Sequence, residues 1–460
     1  MDVRTINRRK KVALIAAIFG SFLTPFMMSA LNIALPAIQI EFDVNAIFLS
    51  WINTAYLLAS AAFLVPIGKT ADLFGHIRIF RLGIIIFTLV SLASAFSPSI
   101  EFFILMRVLQ GIGGAMIFTT GIPILTKTFP PEERGKVLGL NVSSVYIGLS
   151  LGPSIGGVLT QALGWKSIFL VILPLGLFII FLTFSFLKPE ETSTQEDRLD
   201  ILGSIIYALT LVALVYGSTR LPETIGIILI ACSVPGFIIF VKRQISIPNP
   251  VFEIKLFRKN KVFAFSNVAA LINYAASSAI TFLLSLYLQY IKGLTPQQAG
   301  MILIIQPVVM AALSFQAGRL SDRIEPAFIS STGMACTALG LFALSFLTPA
   351  TPNYFIYGAL VILGLGFALF SAPNTNAIMG SVEKHNYGIA SASVSTMRLL
   401  GQMFSMAIAT LIISLFIGKN QIQPSVFPLF LKSIHWSFLI FSILCAIGVY
   451  FSLARGKVYN

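Results

Sequence analysis

Long stretches with almost no charge alternate along the chain with short segments that gather its Lys, Arg, Asp and Glu. An α-helix rises about 1.5 Å per residue, so roughly 20 apolar residues cross the ~30 Å hydrocarbon layer of a bilayer. The uncharged runs have that length. They predict spans near 12–36, 47–66, 79–98, 102–126, 137–161, 167–187, 201–217, 224–241, 262–290, 297–317, 327–347, 353–378, 387–417 and 433–453, fourteen in all. The first run follows MDVRTINRRKK with no small-residue cleavage site before the next polar loop, so it reads as a span and not as a removable leader.

The polar segments repeat. PIGKTADLFGHIR, residues 66–78, follows the second span and QAGRLSDRIEP, residues 316–326, follows the tenth. Both carry G-x-x-x-D, as Gly68 with Asp72 and Gly318 with Asp322, 250 residues apart. Six spans need fewer residues than that, so the seventh and eighth spans are expected to be a hairpin inserted between two six-helix halves. The expected division is a first bundle over 1–190, the inserted hairpin with its linkers over 191–254, and a second bundle over 255–460.

Composition agrees with this picture and excludes a water-soluble domain: 57% hydrophobic, 10% charged, mean hydropathy +0.90. With the N-terminus on the cytoplasmic side, 24 of the 31 Lys and Arg fall on cytoplasmic segments, which is the bias that sets orientation in membranes. Both termini are then cytoplasmic. The net charge of +14 is spread over many short segments in this way, so it does not point to nucleic acid. Cys232, Cys336 and Cys445 stand in separate spans without a histidine partner, so no metal site is expected. No nucleophile elbow, Walker loop, dinucleotide turn or HExxH pair occurs, which argues against an enzyme or an ATP-driven pump and leaves no resident cofactor to expect.

Two arginines stand well away from the ends of their spans, Arg107 and Arg398. A charge there costs at least about 2.5 kcal/mol unless it is paired or hydrated, so it is functional by default. Gln110 lies one helical turn from Arg107 on the same face. All seventeen acids lie in loops or near span ends, with Glu101 near the outer mouth and Asp72 on the cytoplasmic side, so both are candidates for proton coupling beside Arg107. An inward-facing pocket is expected to use Asn32, Trp51, Tyr56, Arg107, Gln110, Asn273, Tyr274, Gln306, Asn374 and Arg398, and a field set by arginine without acid favours neutral, zwitterionic or anionic amphiphiles. In the cytoplasmic turns, Asp72 and Asp322 are candidate latches with Arg78, Arg319 and Arg323 as nearby cations. In GLSLGPSIGG, Gly148, Gly152 and Gly156 recur every four positions and leave a groove for a neighbouring helix, while Pro153 removes a helical hydrogen bond.

With these phrases together, the chain resembles the major facilitator superfamily, and within it the fourteen-span drug:proton antiporters. The family's loop motif is matched by Gly68, Ala71, Asp72 and Gly75. Its fourth-span motif is matched by Arg107, Gln110, Gly111 and Gly113, and its exporter motif by Gly148, Gly152, Pro153, Gly156 and Gly157. Many members carry an acid in the first span before an NVALP-like phrase. Here the phrase is NIALP and the aligned position is Met27, so neither a cation-binding nor a proton-carrying carboxylate is expected at the midplane. The resemblance implies a monomeric exporter of small amphipathic compounds in the plasma membrane, with protons as coupling ion and alternating access between the halves. A dedicated exporter of one lipid-like or anionic metabolite, an uncoupled facilitator, and a non-transporting receptor or scaffold are the other readings.

Overall fold

A computed structural model describes residues 3–456 except 188–199, 222, 249, 251, 322, 384–386 and 419. No β-strand occurs among the described residues. The helices are α1 (Val3–Phe42), α2 (Ala46–Phe74), α3 (His76–Ala95), α4 (Ile100–Thr128), α5 (Pro131–Leu163), α6 (Lys166–Phe186), α7 (Ile201–Thr219), α8 (Thr224–Ser246), a short α9 (Ile254–Lys259), α10 (Lys261–Ser277), α11 (Ile280–Leu286), α12 (Pro296–Leu303), α13 (Ile305–Ser321), α14 (Pro326–Leu344), α15 (Asn353–Gly380), α16 (Tyr387–Ile417) and α17 (Phe427–Ala454). They make fourteen helical segments long and apolar enough to cross a membrane. Several begin where a polar side chain takes an otherwise unpaired backbone N–H: Asn45 accepts from Phe48 at 3.0 Å, Ser99 from Phe102 at 3.3 Å and Asn260 from Phe263 at 2.9 Å.

Two segments predicted as continuous are broken. The ninth span is α10, α11 and a π-turn over Tyr287–Ile291, and the tenth is α12 followed by α13. At the first break Ala279 N–H donates to Ser405 Oγ of α16 at 2.9 Å, so the freed backbone group is satisfied by protein where lipid has nothing to offer. Near the second, Pro307 brings no N–H to the helix.

Helices α1 to α6 pack on one another, as do α10 to α17. The start of α1 and the end of α17 lie at one end of the bundle, called here the near end. The two groups meet through α1 and α5 against α11 and α12, and through α2 against α16. At the far end they are hydrogen-bonded directly. Ser285 Oγ donates to Asn32 O at 2.7 Å, Gln289 Nε2 to Ile33 O at 3.0 Å and Gln421 Nε2 to Asp43 Oδ1 at 2.6 Å, and the Tyr290 hydroxyl donates to Gln39. The hairpin α7–α8 lies outside this core. Its α7 touches α2 and α16, with the Tyr207 hydroxyl donating to Ala61 O at 3.2 Å, whereas α8 packs on α7 and reaches α9.

The root of the hairpin is a polar knot. Buried Asp200 caps α7 through Gly203 N–H at 2.9 Å, pairs with Arg243 at 2.7 Å and accepts from Gln244 at 2.9 Å, while Gln244 accepts from Phe252 N–H at 3.1 Å. Burial alone would raise the Asp200 carboxyl, but the hydrogen bonds from Arg243, Gly203 and Gln244 outweigh it and hold the group below the usual aspartate range.

Candidate transport cavity

Between the two groups lies a cavity of about 190 Å³. Asn32, Asn53, Tyr56, Phe118 and Tyr146 line it from α1, α2, α4 and α5. Tyr274, Ser277, Thr281, Gln306, Arg398 and Gln402 face them from α10, α11, α13 and α16, so both helix breaks border the cavity. Two contacts cross it. The Tyr146 hydroxyl and Ser371 Oγ lie 3.1 Å apart, and the Arg398 guanidinium carbon sits 4.5 Å from the centroid of the Phe118 ring. Asn53 Nδ2 donates to Asn32 Oδ1 at 2.7 Å, and Asn53 Oδ1 has no hydrogen-bond partner among the described residues. Among the described residues no carboxylate lines the cavity, and Arg398 is the single charged one on its wall.

Of the residues expected to face inward, Asn32, Tyr56, Tyr274, Gln306 and Arg398 are on the wall. Trp51, Arg107, Gln110, Asn273 and Asn374 are not, and each is held elsewhere. Trp51 stands 5.9 Å from the Tyr216 ring of α7. Arg107 is fully buried within the first group: its Nε donates to Ile52 O at 3.0 Å, its Nη1 donates to Gln110, and its carbon lies 4.5 Å from the Tyr56 ring. Gln110 in turn donates to Ser91 Oγ at 2.8 Å. Asn273 points toward Cys445 Sγ at 3.9 Å, and Asn374 donates to Ser266 O at 3.0 Å. Membrane helices use such amides to hold neighbours together, and in these places that use has won.

Glu101 lies away from the cavity. It borders a larger, open recess of about 580 Å³ at the far end together with Glu41 and Asp43, and this recess is formed mainly by the connections between helices. Glu41 there pairs with Lys166 at 2.7 Å.

At the near end the chain turns at Gly75, whose φ of +95° suits a residue without a side chain. The turn brings His76 back onto Asp72, Nε2 to Oδ1 at 3.2 Å, and Lys127 Nζ lies 3.1 Å from His76 Nδ1. The base beside Asp72 is therefore His76, while Arg78 is exposed. Gly68 has open space where a side chain would sit, and Gly318 faces Ala372. Arg319 lies over the Phe315 ring at 4.3 Å, Arg323 is exposed, and Asp322 is outside the described residues.

The glycine stripe of α5 faces α1. A Cβ on Gly148 would meet Phe22 O at 2.7 Å, on Gly152 Ser29 Cβ at 2.5 Å, and on Gly156 Ala30 Cα at 2.7 Å, so the stripe binds two helices of the same group. Pro153 leaves the carbonyl of Leu149 without its helical donor, and Ser29 Oγ supplies one at 3.1 Å. Contact with the other group comes from the neighbouring face: a Cβ on Gly157 would lie 2.5 Å from Pro296 O, and one on Gly300 2.1 Å from Pro153 O.

The sequence model of the Major Facilitator Superfamily matches residues 17–406 and, in a second match, 266–458. The chain belongs to the major facilitator superfamily. Among superfamily proteins, the riboflavin transporter RibZ of Clostridioides difficile is 31% identical over 96% of each chain. Multidrug resistance protein Stp of Mycobacterium tuberculosis is 30% identical over 88% of this chain and 76% of Stp. The methylenomycin A resistance protein of Streptomyces coelicolor is 27% identical over 86% of this chain and 84% of its own. A bacterial homologue of the human lysosomal transporter Spinster, crystallised inward-facing and unoccupied, superposes with a TM-score of 0.71 at 15% identity over 97% of both chains.

Within this superfamily fold, one buried group escaped the sequence reading. Arg455, two residues past the last predicted span, is fully buried, donates to Ser266 at 3.2 Å and Asn374 at 2.8 Å, and also donates to Ser330. It ties α17 to α10, α14 and α15. Its signal was Asn374 on an otherwise apolar span, an amide in need of a partner. Cys232 is exposed on α8, whereas Cys445 is buried.

Proposed function

We propose that this superfamily member exports small amphipathic compounds, neutral or anionic, from the cytoplasm across the cell membrane in exchange for protons. The observation that carries the reading is the cavity between the two groups, where, among the described residues, Arg398 is the single charged lining residue and no acid stands on the wall. An apolar and amide-rich wall takes up varied rings, and a fixed positive charge without a counter-ion disfavours cations. In this reading residues 1–190 and 255–460 rock about the cavity, 191–254 form an accessory hairpin, the near end is cytoplasmic, and the far-end hydrogen bonds are those of a state closed to the outside. The exporter motif on α5 and the resistance proteins among the relatives support the direction of transport. Asp72 with His76 at the near end, Glu101 at the far end and Arg107 behind Tyr56 are the groups through which protons are coupled.

A second reading is a dedicated carrier of one aromatic metabolite, favoured by the 31% identity to a riboflavin transporter over nearly the whole of both chains. The test is retention of a mixed panel of cationic, neutral and anionic compounds, riboflavin included, in efflux-deficient cells with and without an uncoupler. Lower retention of several neutral or anionic compounds, abolished by the uncoupler, supports the multi-substrate antiporter. An effect on riboflavin alone moves the conclusion to the dedicated carrier, and transport that survives the uncoupler removes the proton. If Asp72→Asn and Gly152→Leu proteins that are expressed normally change no compound's retention, a receptor or scaffold role is the better account.

A further inference from the structure

Arg398 is held in an unusual way for a cation inside a membrane protein. Its guanidinium rests on the Phe118 ring at 4.5 Å, and none of its N–H groups makes a hydrogen bond or ion pair with another described residue. A guanidinium stacks through its face and donates through its edge. The contact with Phe118 leaves the N–H donors of the group unused at a cavity wall that holds no carboxylate among the described residues. Contrast Arg107, whose Nε and Nη1 donate to Ile52 O and Gln110 while only Nη2 is left without a partner among the described residues. A charge kept in such surroundings without a protein acceptor is suited to an acceptor that arrives from elsewhere.

The rest of the wall narrows the chemistry of that arrival. Tyr274 and Phe367 put their rings 6.3 Å apart on the same side as Arg398, and Tyr146 stands opposite beside Ser371. These are surfaces for a flat ring system. Phe118 comes from α4 and Arg398 from α16, so the seat itself bridges the two rocking groups.

We propose that Arg398 is the specificity-determining residue of the cavity, binding an anionic oxygen, carboxylate or enolate, carried on a flat aromatic substrate. Phe118 is its positioning residue from the opposite group. This rests on the transport reading above and adds to it the substrate class and the residue that selects it. An anion at the edge of the guanidinium and Phe118 on its face are compatible, so binding strengthens the bridge across the cavity.

The test uses the purified full-length chain in lipid nanodiscs and three tricyclic fluorophores: resorufin as anion, riboflavin as neutral compound, proflavine as cation. Affinities are read by fluorescence anisotropy. Resorufin is expected to bind at least about tenfold tighter than proflavine, a modest demand on one charge-assisted contact. Arg398→Gln is expected to lose that preference, with resorufin weakened about tenfold or more and proflavine unchanged or tighter. Arg398→Lys keeps the charge without the planar fork and is expected to retain part of it. Phe118→Leu should weaken resorufin severalfold and Phe118→Tyr should restore it, which a mere packing role would not produce, and monodisperse elution of each variant guards against misfolding. Equal affinity of wild type for resorufin and proflavine, or resorufin binding untouched by Arg398→Gln, overturns the proposal while leaving transport intact. Selective binding of resorufin with no expulsion of any panel compound from cells leaves Arg398 as the selector and sinks the export reading instead. If none of the three binds, both fall.

Discussion

Two arginines occupy apolar spans, and along the sequence they look alike. The surroundings of Arg107 and Arg398 teach how differently a protein can house the same charge. Arg107 is enclosed by α2, α3 and α4, through Ile52, Ser91 by way of Gln110, and Tyr56, so its charge is spread over carbonyl, amide and ring, and it works as an internal brace. Arg398 has one aromatic seat on the cavity wall and no hydrogen bond to another described residue, and in the proposal above it receives something from outside the chain. A charge within a span is functional by default, but whether the function is cohesion or recognition depends on how many of its donors are already taken.

Breaking the first region should have the largest effect. Arg107→Ala leaves Gln110 without its partner and a void behind Tyr56, and lost hydrogen bonds to a buried charge are worth about 1.5–3 kcal/mol each. The expected outcome is transport abolished for all classes of compound alike and a lower melting temperature of the purified protein. Retained transport with altered charge preference would erase the distinction from Arg398.

Next in size is Gly300→Val, because a Cβ there falls 2.1 Å from Pro153 O at the contact between the two groups. It should hold the far ends apart, seen as a longer distance between spin labels at positions 161 and 297, with turnover down about tenfold or more. An unchanged distance distribution would show that this contact does not set the closed state. Gly152→Ala acts within one group, 2.5 Å from Ser29 Cβ, and overpacking of this kind costs about 1–3 kcal/mol. Thermal denaturation should show the loss, with substrate preference preserved; an altered preference at unchanged stability would refute the assignment of the stripe to packing.

The smallest effect is expected at the hairpin root. Asp200 has its carboxyl below the usual range when folded, so its tie to Arg243 and Gln244 contributes fully above the ordinary aspartate value and is lost as pH falls through the lowered one. Hydrogen exchange near residues 201–204 and 252, expressed relative to the intrinsic amide rate at each pH, should accelerate on acidification in wild type. In Asp200→Asn it should be fast already at neutral pH, and an identical pH profile in both proteins would remove Asp200 from the explanation.

Much of the fold was legible because its signals are local. Run length gives the spans, and the four-residue spacing of Gly148, Gly152 and Gly156 announces a close helix contact. Which helix sits in that groove was not legible: the stripe meets α1 in its own group, and only the adjacent face, at Gly157, reaches the other. Half of the expected cavity residues were misplaced for a related reason. A helix surrounded by lipid on one side and apolar protein on the other is apolar all round, so periodicity cannot tell whether Asn273 or Asn374 looks into a cavity or into a neighbour. Arg455 shows the same limit at a chain end, where a basic residue after a span reads as a solvated tail unless its amide and hydroxyl partners are known. The exchange of Arg78 for His76 beside Asp72 follows from the turn geometry at Gly75, which spacing alone does not convey.

The hairpin divides its obligations unequally between its two helices. One side of α7 is engaged through Tyr207 with Ala61 and through Tyr216 with Trp51, so its inward residues have fixed neighbours. The middle of α8 presents Val234, Phe237, Ile238 and Ile239 outward, where oily character alone is required. Over evolutionary time the two should drift at different rates. Across relatives, α8 should exchange Ile, Val, Leu and Phe almost freely while the Tyr207 and Tyr216 positions of α7 keep an aromatic residue, a record that selection has already written into living genomes.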